Sequence, residues 1–359
     1  MFRVSPLILI EGKGTGVKML KELERHVKNN IEHPFHVYPQ YYENFLKYFR
    51  AESVMAMFKR KKMRTALLNK LQLSCNYNRA TYCQGVSEVM LWLYFANQNI
   101  TFETEKKVAE ANQRDVDLHI QEGRFLYNIE IKSPTVQFRS PNALHLHVPF
   151  RTIPKDESEK AINAFKQEFG EPLLSMEGAM FTNIQVDKIN DNKLVDYLKS
   201  AREKFPELSP IHCNALFIAV QTTDISDYFG YLVNGYTGIF SGREPIMQQD
   251  DYRNVDVVVL SNLVDGHLNP EKISDPWNLN KYFNLMILNQ ANAMSSTAAQ
   301  ERLLSLVPNS TLEFEGYHTK FEETVKQEAR SKNDPFLEED LKILLFPHYF
   351  DEHFPQFWK

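Results

Sequence analysis

Arg114-Asp115-Val116-Asp117-Leu118-His119-Ile120, followed after Gln121-Glu122-Gly123-Arg124 by Phe125-Leu126-Tyr127-Asn128-Ile129-Glu130-Ile131-Lys132-Ser133, is the stretch whose reading decides the fold. From 113 to 120, Asp115, Asp117 and His119 alternate with Val116, Leu118 and Ile120, the period-2 pattern of a half-buried strand. Past the turn, FLYNIEIK is rich in aromatic and β-branched residues, with Glu130 and Lys132 on one face and Ile129 and Ile131 on the other. The two segments predict a hairpin that presents Asp117, Glu130 and Lys132 to one cleft.

Working outward, residues 84 to 97 (QGVSEVMLWLYFAN) predict a strongly apolar helix in which Glu88 is the one residue charged at neutral pH. A carboxylate there is costly to bury without a partner. Downstream, 191 to 205 carry Leu194, Val195, Leu198, Ala201 and Phe205 at amphipathic-helix spacing, ended by Pro206. CNALFIAVQ, at 213 to 221, is an almost unbroken apolar run suited to a central strand covered on both faces, and a further strand is expected over 255 to 260. Helix, hairpin, helix and strand in that order predict an α/β fold, a mixed central sheet flanked by helices.

Both ends read mainly helical, at 17 to 29, 41 to 50 and a basic segment from 58 to 73, then at 281 to 294 and 321 to 332. Neither end carries a Gly/Ser- or Pro-rich linker, so helical N- and C-terminal extensions are expected to pack on the core. The division expected is 1–78, 79–265 and 266–359. The Gly- and aromatic-rich stretch from Thr222 to Gln248 reads as a hairpin or covering loop; it lacks the Gly-Lys-Ser/Thr ending of a phosphate loop.

Chemistry follows from the hairpin's polar face. Carboxylate oxygens suit Mg²⁺ or Mn²⁺, and magnesium is typically held by one or two carboxylates plus waters and phosphate oxygens. A lysine two residues from the acid suits offsetting charge at an attacked phosphoryl group. The net charge of −5 opposes phosphate binding, but Lys59-Arg60-Lys61-Lys62-Met63-Arg64 is a dense basic block able to track a nucleic-acid backbone. Arg139 and Arg151, with His145 and His147 between them, form a weaker basic candidate. Three cysteines without paired spacing suggest neither a zinc site nor a disulfide framework. No signal peptide or 18-residue apolar stretch is evident, so a cytoplasmic protein without a membrane partner is expected.

The arrangement resembles the PD-(D/E)xK nuclease superfamily, whose restriction-endonuclease-like core is a helix bearing a Glu, a hairpin bearing Asp and then Glu-x-Lys, and a following helix and strand. By motif, Glu88 matches the helix acid, Asp117 the first-strand acid, and Glu130 with Lys132 the Glu-x-Lys pair. Arg-Asp-Val stands where Pro-Asp would, which leaves Asp115 as a rival to Asp117 on the same strand face; the spacing to Glu130 favours Asp117. The resemblance covers roughly residues 80 to 265. It implies a Mg²⁺-dependent nuclease, a DNA endonuclease of restriction or defence type, with Glu88, Asp117 and Glu130 around the metal and Lys132 beside the attacking water. A homodimer would suit cleavage of both strands of a duplex. The alternative is a non-catalytic nucleic-acid-binding or interaction protein on the same scaffold.

Overall fold

The computed structural model describes residues 15–108, 114–134, 143–148, 183–188, 190–233, 238–240, 245–289 and 297–332, with a few isolated positions between. The described chain divides into two compact units, one of residues 15–100 with 266–278, the other running from 101 to 265 and resuming at 279. Arg139 and Arg151 lie outside the described residues, as do the side chains of His145 and His147.

The first unit is helical: α1 (Thr15–Asn29), α2 (Pro34–Val37), α3 (Pro39–Phe49), α4 (Glu52–Phe58), α5 (Lys61–Lys70) and α6 (Arg79–Asn97). Pro34 and Pro39 open α2 and α3 where a helix has no use for the missing N–H. Asn78 caps α6 by accepting the Thr81 N–H at 3.0 Å. The core centres on Phe35, Tyr41, Phe45 and Trp277, with ring centroids 4.9 to 5.8 Å apart. Buried His33 donates from Nε2 to the Leu71 carbonyl at 2.7 Å, while its Nδ1 accepts the Phe35 N–H at 3.1 Å. Both nitrogens are thus committed in the neutral form. Buried His267 meets the Tyr41 hydroxyl at 2.5 Å, and that hydroxyl meets Tyr82 at 2.6 Å. Where α5 and α6 cross, a Cβ on Gly85 would lie 2.0 Å from the Lys70 carbonyl oxygen, so only glycine permits this approach.

The second unit is built on a six-stranded mixed sheet. Its elements are β1 (Phe102–Lys107), β2 (Asp115–Glu122), β3 (Phe125–Lys132), β4 (Ala143–Val148), β5 (Asn183–Lys188), α7 (Asn190–Lys204), β6 (His212–Ala219), α8 (Thr222–Val233) and β7 (Val257–Ser261). After α9 (Leu263–Leu268), where the chain passes through the first unit, come β8 (Asn284–Leu288), α10 (Thr297–Leu306) and α11 (Thr311–Ser331). The strand order is β1-β2-β3-β6-β7-β8, and β4 and β5 form a separate parallel pair. Pairing is antiparallel from β1 to β3, parallel from β3 through β6 to β7, and antiparallel again at β8. The α/β fold with a mixed sheet flanked by helices is therefore present, and helix, hairpin, helix and strand occur in the expected order.

One sheet face packs Leu216, Ile218, Val258, Leu260, Leu285 and Ile287 against Leu194, Leu198 and Ala201 of α7, Phe205 just past its end, and Ile225, Tyr228 and Leu232 of α8. Two local expectations are corrected. Residues 284–288, expected within a helix, form edge strand β8, because a short unbroken apolar run has no periodicity to tell strand from helix. Its outer edge is closed by Thr311 Oγ1, which accepts the Met286 N–H at 3.0 Å. Residues 222–233, expected in a hairpin or loop, form α8, begun where the Thr222 N–H donates to the Asp265 carboxylate at 2.8 Å. Among the described residues, no helix is long and apolar enough to cross a membrane.

Two stability predictions follow from the first unit. Gly85→Ala pushes a methyl into the Lys70 carbonyl and should cost about 2–3 kcal/mol, read as a lowered midpoint in denaturant. Burial lowers His33 to about 4 and His267 to about 3. The unfolded chain, titrating near 6.5, then binds more protons below that pH, so stability present above about 6.5 drains away as pH falls toward 4. Melting temperatures should decline across pH 6.5 to 5, a window above most carboxylate titration, and the decline should be shallower in His33→Gln; an unchanged slope would contradict this.

Candidate functional site

The site is set by where the hairpin stops being a ladder. β2 and β3 pair from Glu122↔Phe125 to Leu118↔Ile129 and no further, although both strands continue. Beyond that point β2 stays paired to β1 as far as Asp115, and β3 stays paired to β6 as far as Lys132. The two strands therefore fork at the carboxyl end of β3, where the sheet changes from antiparallel to parallel, the kind of place where open α/β sheets leave a crevice. Continuing the register places Asp117 opposite Glu130 and Asp115 opposite Lys132. A carboxylate bridges the fork: Asp117 Oδ2 accepts the Ile131 N–H at 2.7 Å.

Glu130 is the most buried charge in the fork, with no exposed surface. Its Oε1 receives two ammonium groups, Lys132 Nζ at 2.6 Å and Lys204 Nζ at 2.6 Å. Its Oε2 is buried with no hydrogen-bond partner, and Asp115 Oδ1 is in the same condition on the neighbouring strand. Orphaned anionic oxygens are expensive in a protein interior. Carboxylate oxygens are the donors that hard cations such as Mg²⁺ or Mn²⁺ take. Among the described residues no three His, Cys, Asp or Glu side chains form a group that could hold a metal ion.

Sequence reasoning missed Lys204. The residue ends α7, one position before Phe205 of that helix's apolar stripe, and a lysine in a last helical turn ordinarily serves the helix dipole. Only the docking of α7 on the sheet shows that its stem reaches a buried carboxylate. Arg114, just ahead of β2, pairs with neighbouring Glu203 and fastens the same helical turn to the other arm of the fork.

A polar row backs the fork on the same face. His119 donates from Nδ1 to Asn128 Oδ1 at 2.8 Å, Asn128 donates to Asn214 Oδ1 at 2.8 Å, and the Asn214 N–H donates to Asp256 at 2.8 Å. Burial is the main cause lowering the His119 pKa, so the imidazole is held neutral.

The other expected residues lie in the helical unit. Glu88 sits on α6, largely buried, and forms an ion pair with Lys70 of α5 one turn from Gly85, so its charge has a partner within that unit. Lys59, Arg60, Lys61 and Lys62 are exposed around the start of α5, while Arg64 is half-buried with its Nε 3.4 Å from Glu22. Cations in a first helical turn oppose the dipole, so helix stability does not call for them there.

No protein-family model, functionally characterised protein or solved structure matches this chain.

Proposed function

We propose that this protein is a metal-dependent nuclease hydrolysing phosphodiester bonds, with DNA the expected substrate and a PD-(D/E)xK-like arrangement of its site. The observation that carries the reading is the fork itself: Asp117, Glu130 and Lys132 meet on one face, beside buried carboxylate oxygens left without partners. Glu130 and Asp117, with Asp115 the rival to Asp117, would hold a Mg²⁺ or Mn²⁺ ion. When bound, such an ion supplies Lewis-acid polarisation of a phosphoryl oxygen. The chain's own part is positioning. Glu130, fixed by two lysines, presents its second oxygen without side-chain freedom, and Lys132 keeps a positive charge beside the scissile phosphate to offset charge that grows in the transition state. The Lys59–Lys62 segment and Arg64 would add sequence-independent contacts to the backbone. Glu88 is kept as the helix acid of the resemblance.

A non-catalytic binding protein is the second reading, and one observation favours it: two lysines on Glu130 Oε1 are also what a purely structural buried ion pair would show. Activity separates the two. Incubated with Mg²⁺ or Mn²⁺, the purified protein should cut at least one of plasmid, linear duplex, single-stranded DNA or RNA, and EDTA should abolish cutting. Lys132→Ala and Glu130→Ala should each lose at least about 100-fold in rate, with folding checked by circular dichroism. Intact substrates that remain bound equally well by both variants would establish the second reading instead. For Glu88, the comparison is Glu88→Gln with Lys70→Met: a ligand role raises the Mg²⁺ concentration needed in the first variant alone, whereas a purely structural pair lowers the melting temperature of both and leaves that requirement unchanged.

A further inference from the structure

We infer that Lys132 and Lys204 form a two-ammonium clamp for one phosphodiester of a nucleic-acid strand, with Glu130 as its buried support, and that the clamp holds the phosphate without a metal ion. The class of ligand rests on the nuclease reading; the clamp itself rests on the geometry of the two lysines.

Lys132 Nζ and Lys204 Nζ each stand 2.6 Å from the same atom, Glu130 Oε1, so the two ammonium groups are no more than twice that distance apart. Like charges so close repel, and the carboxylate they share is what holds them together. An ammonium group has three N–H donors and no acceptor. Each directs one donor to Glu130, and among the described residues neither has a further partner. Two neighbouring groups with donors left over match two oxygens of one phosphate, and ammonium–phosphate bonds are of the strong, charge-assisted kind. The pair is also pre-organised. Lys132 lies on β3, which stays paired to β6 as far as that residue, and Lys204 ends α7 just ahead of buried Phe205, so neither backbone has to move to bring the second ammonium into place.

Exposure decides which charge a ligand meets. Glu130 exposes nothing, whereas the side chains of Lys132 and Lys204 keep 23 % and 19 % of their surface in solvent. A strand entering the fork therefore meets the lysines and not the carboxylate they share. The other acids of the fork have neighbours of their own: Asp117 Oδ2 accepts the Ile131 N–H, Asp115 stands in register with Lys107 of β1, and Glu203 pairs with Arg114. Glu105, at the level of Asp117, is exposed on the edge strand.

In EDTA, a fluorescein-labelled DNA oligonucleotide, single-stranded or duplex, should bind the full-length protein, read by anisotropy. It should also protect both Lys132 and Lys204 from acylation, read residue by residue by mass spectrometry. Lys132→Met and Lys204→Met should each weaken binding about tenfold, and the double variant should lose less than the product of the two, the mark of residues that hold one group together. Lys204→Arg should retain binding. Should Lys204→Met fail to fold, Lys204→Gln takes its place with the same expectation. Equal binding by the unaltered and Lys204→Met proteins, or acylation of both lysines unaffected by the oligonucleotide, overturns the clamp and leaves the nuclease reading standing. So does binding that appears only when Mn²⁺ is added. Inorganic phosphate is tested in parallel: protection by phosphate with none by the oligonucleotide overturns the nucleic-acid assignment of the clamp. Clamp behaviour intact in a protein that cuts no substrate supports the clamp and overturns the nuclease reading alone.

Discussion

The sheet unit depends on a carboxylate that has no water. Glu130 is fully enclosed, and an unaccompanied charge in that position would cost several kcal/mol even after relaxation. The fold meets this cost with two ammonium groups at 2.6 Å, one from the same strand and one from a helix more than seventy residues later in the chain. Those contacts fix where α7 can end. With Lys204 on Glu130 and Glu203 on Arg114, the last turn of α7 is tied to both arms of the fork, and Leu194, Leu198 and Ala201 are delivered onto the apolar face beyond it. Replacing such a triad by apolar residues of similar volume is often neutral or stabilising in proteins, so stability alone gives no reason to keep it.

The fork has a topological origin. β2 answers to two partners whose interests separate: toward Glu122 it pairs with β3, and toward Asp115 it remains with β1. β3 in turn is held along most of its length by parallel β6, from Leu126 to Lys132. A strand bound on both sides cannot follow its hairpin partner indefinitely, and where the ladder lapses the Ile131 N–H takes the Asp117 side chain in place of a backbone carbonyl. On the other flank, Glu105 adopts a left-handed backbone with φ of 51°, and the β1–β2 pairing skips it while resuming on either side. Continued register would put it opposite Asp117. Both neighbours of Asp117 thus depart from regular pairing at its level, the kind of local irregularity that concentrates at functional sites. The charged, irregular FETEKK strand also makes a poor template for another chain, which suits its place at the sheet edge.

Legibility in the sequence followed periodicity. The hairpin was plain because Asp115, Asp117 and His119 alternate with buried neighbours, and β6 was plain because its apolar run is long and almost unbroken. β1 escaped notice because Glu, Thr and Lys alternate there without an apolar face, and its pairing is imposed by β2. NLMIL at β8 was legible as buried but not as strand. For the site, residues carried by local spacing could be named in advance, whereas Lys204 could not. Its role comes from the packing of α7 on β6, a tertiary relation for which one sequence contains no signal beyond a lysine beside an apolar stripe. The buried row His119, Asn128 and Asn214 is the opposite case: each is a polar residue plain in the sequence, and the strand register was needed to show that the three join in one row.

That register also bears on the choice between Asp115 and Asp117, in which spacing favoured Asp117. The two acids share a face but not a situation. Asp117 lies across from Glu130 and commits Oδ2 to a backbone N–H on β3, so its position is fixed relative to Glu130 by a bond between the strands. Asp115 lies across from Lys132, and its Oδ1 is buried with nothing to accept from. On the nuclease reading proposed above, a ligand oriented in advance costs little to organise, which favours Asp117 as the first-strand acid. An orphaned oxygen such as Asp115 Oδ1 is the less settled of the two. Asp117 thus sets the spacing of the fork at the level of Glu130, and Asp115 lies one step further along, at the level of Lys132.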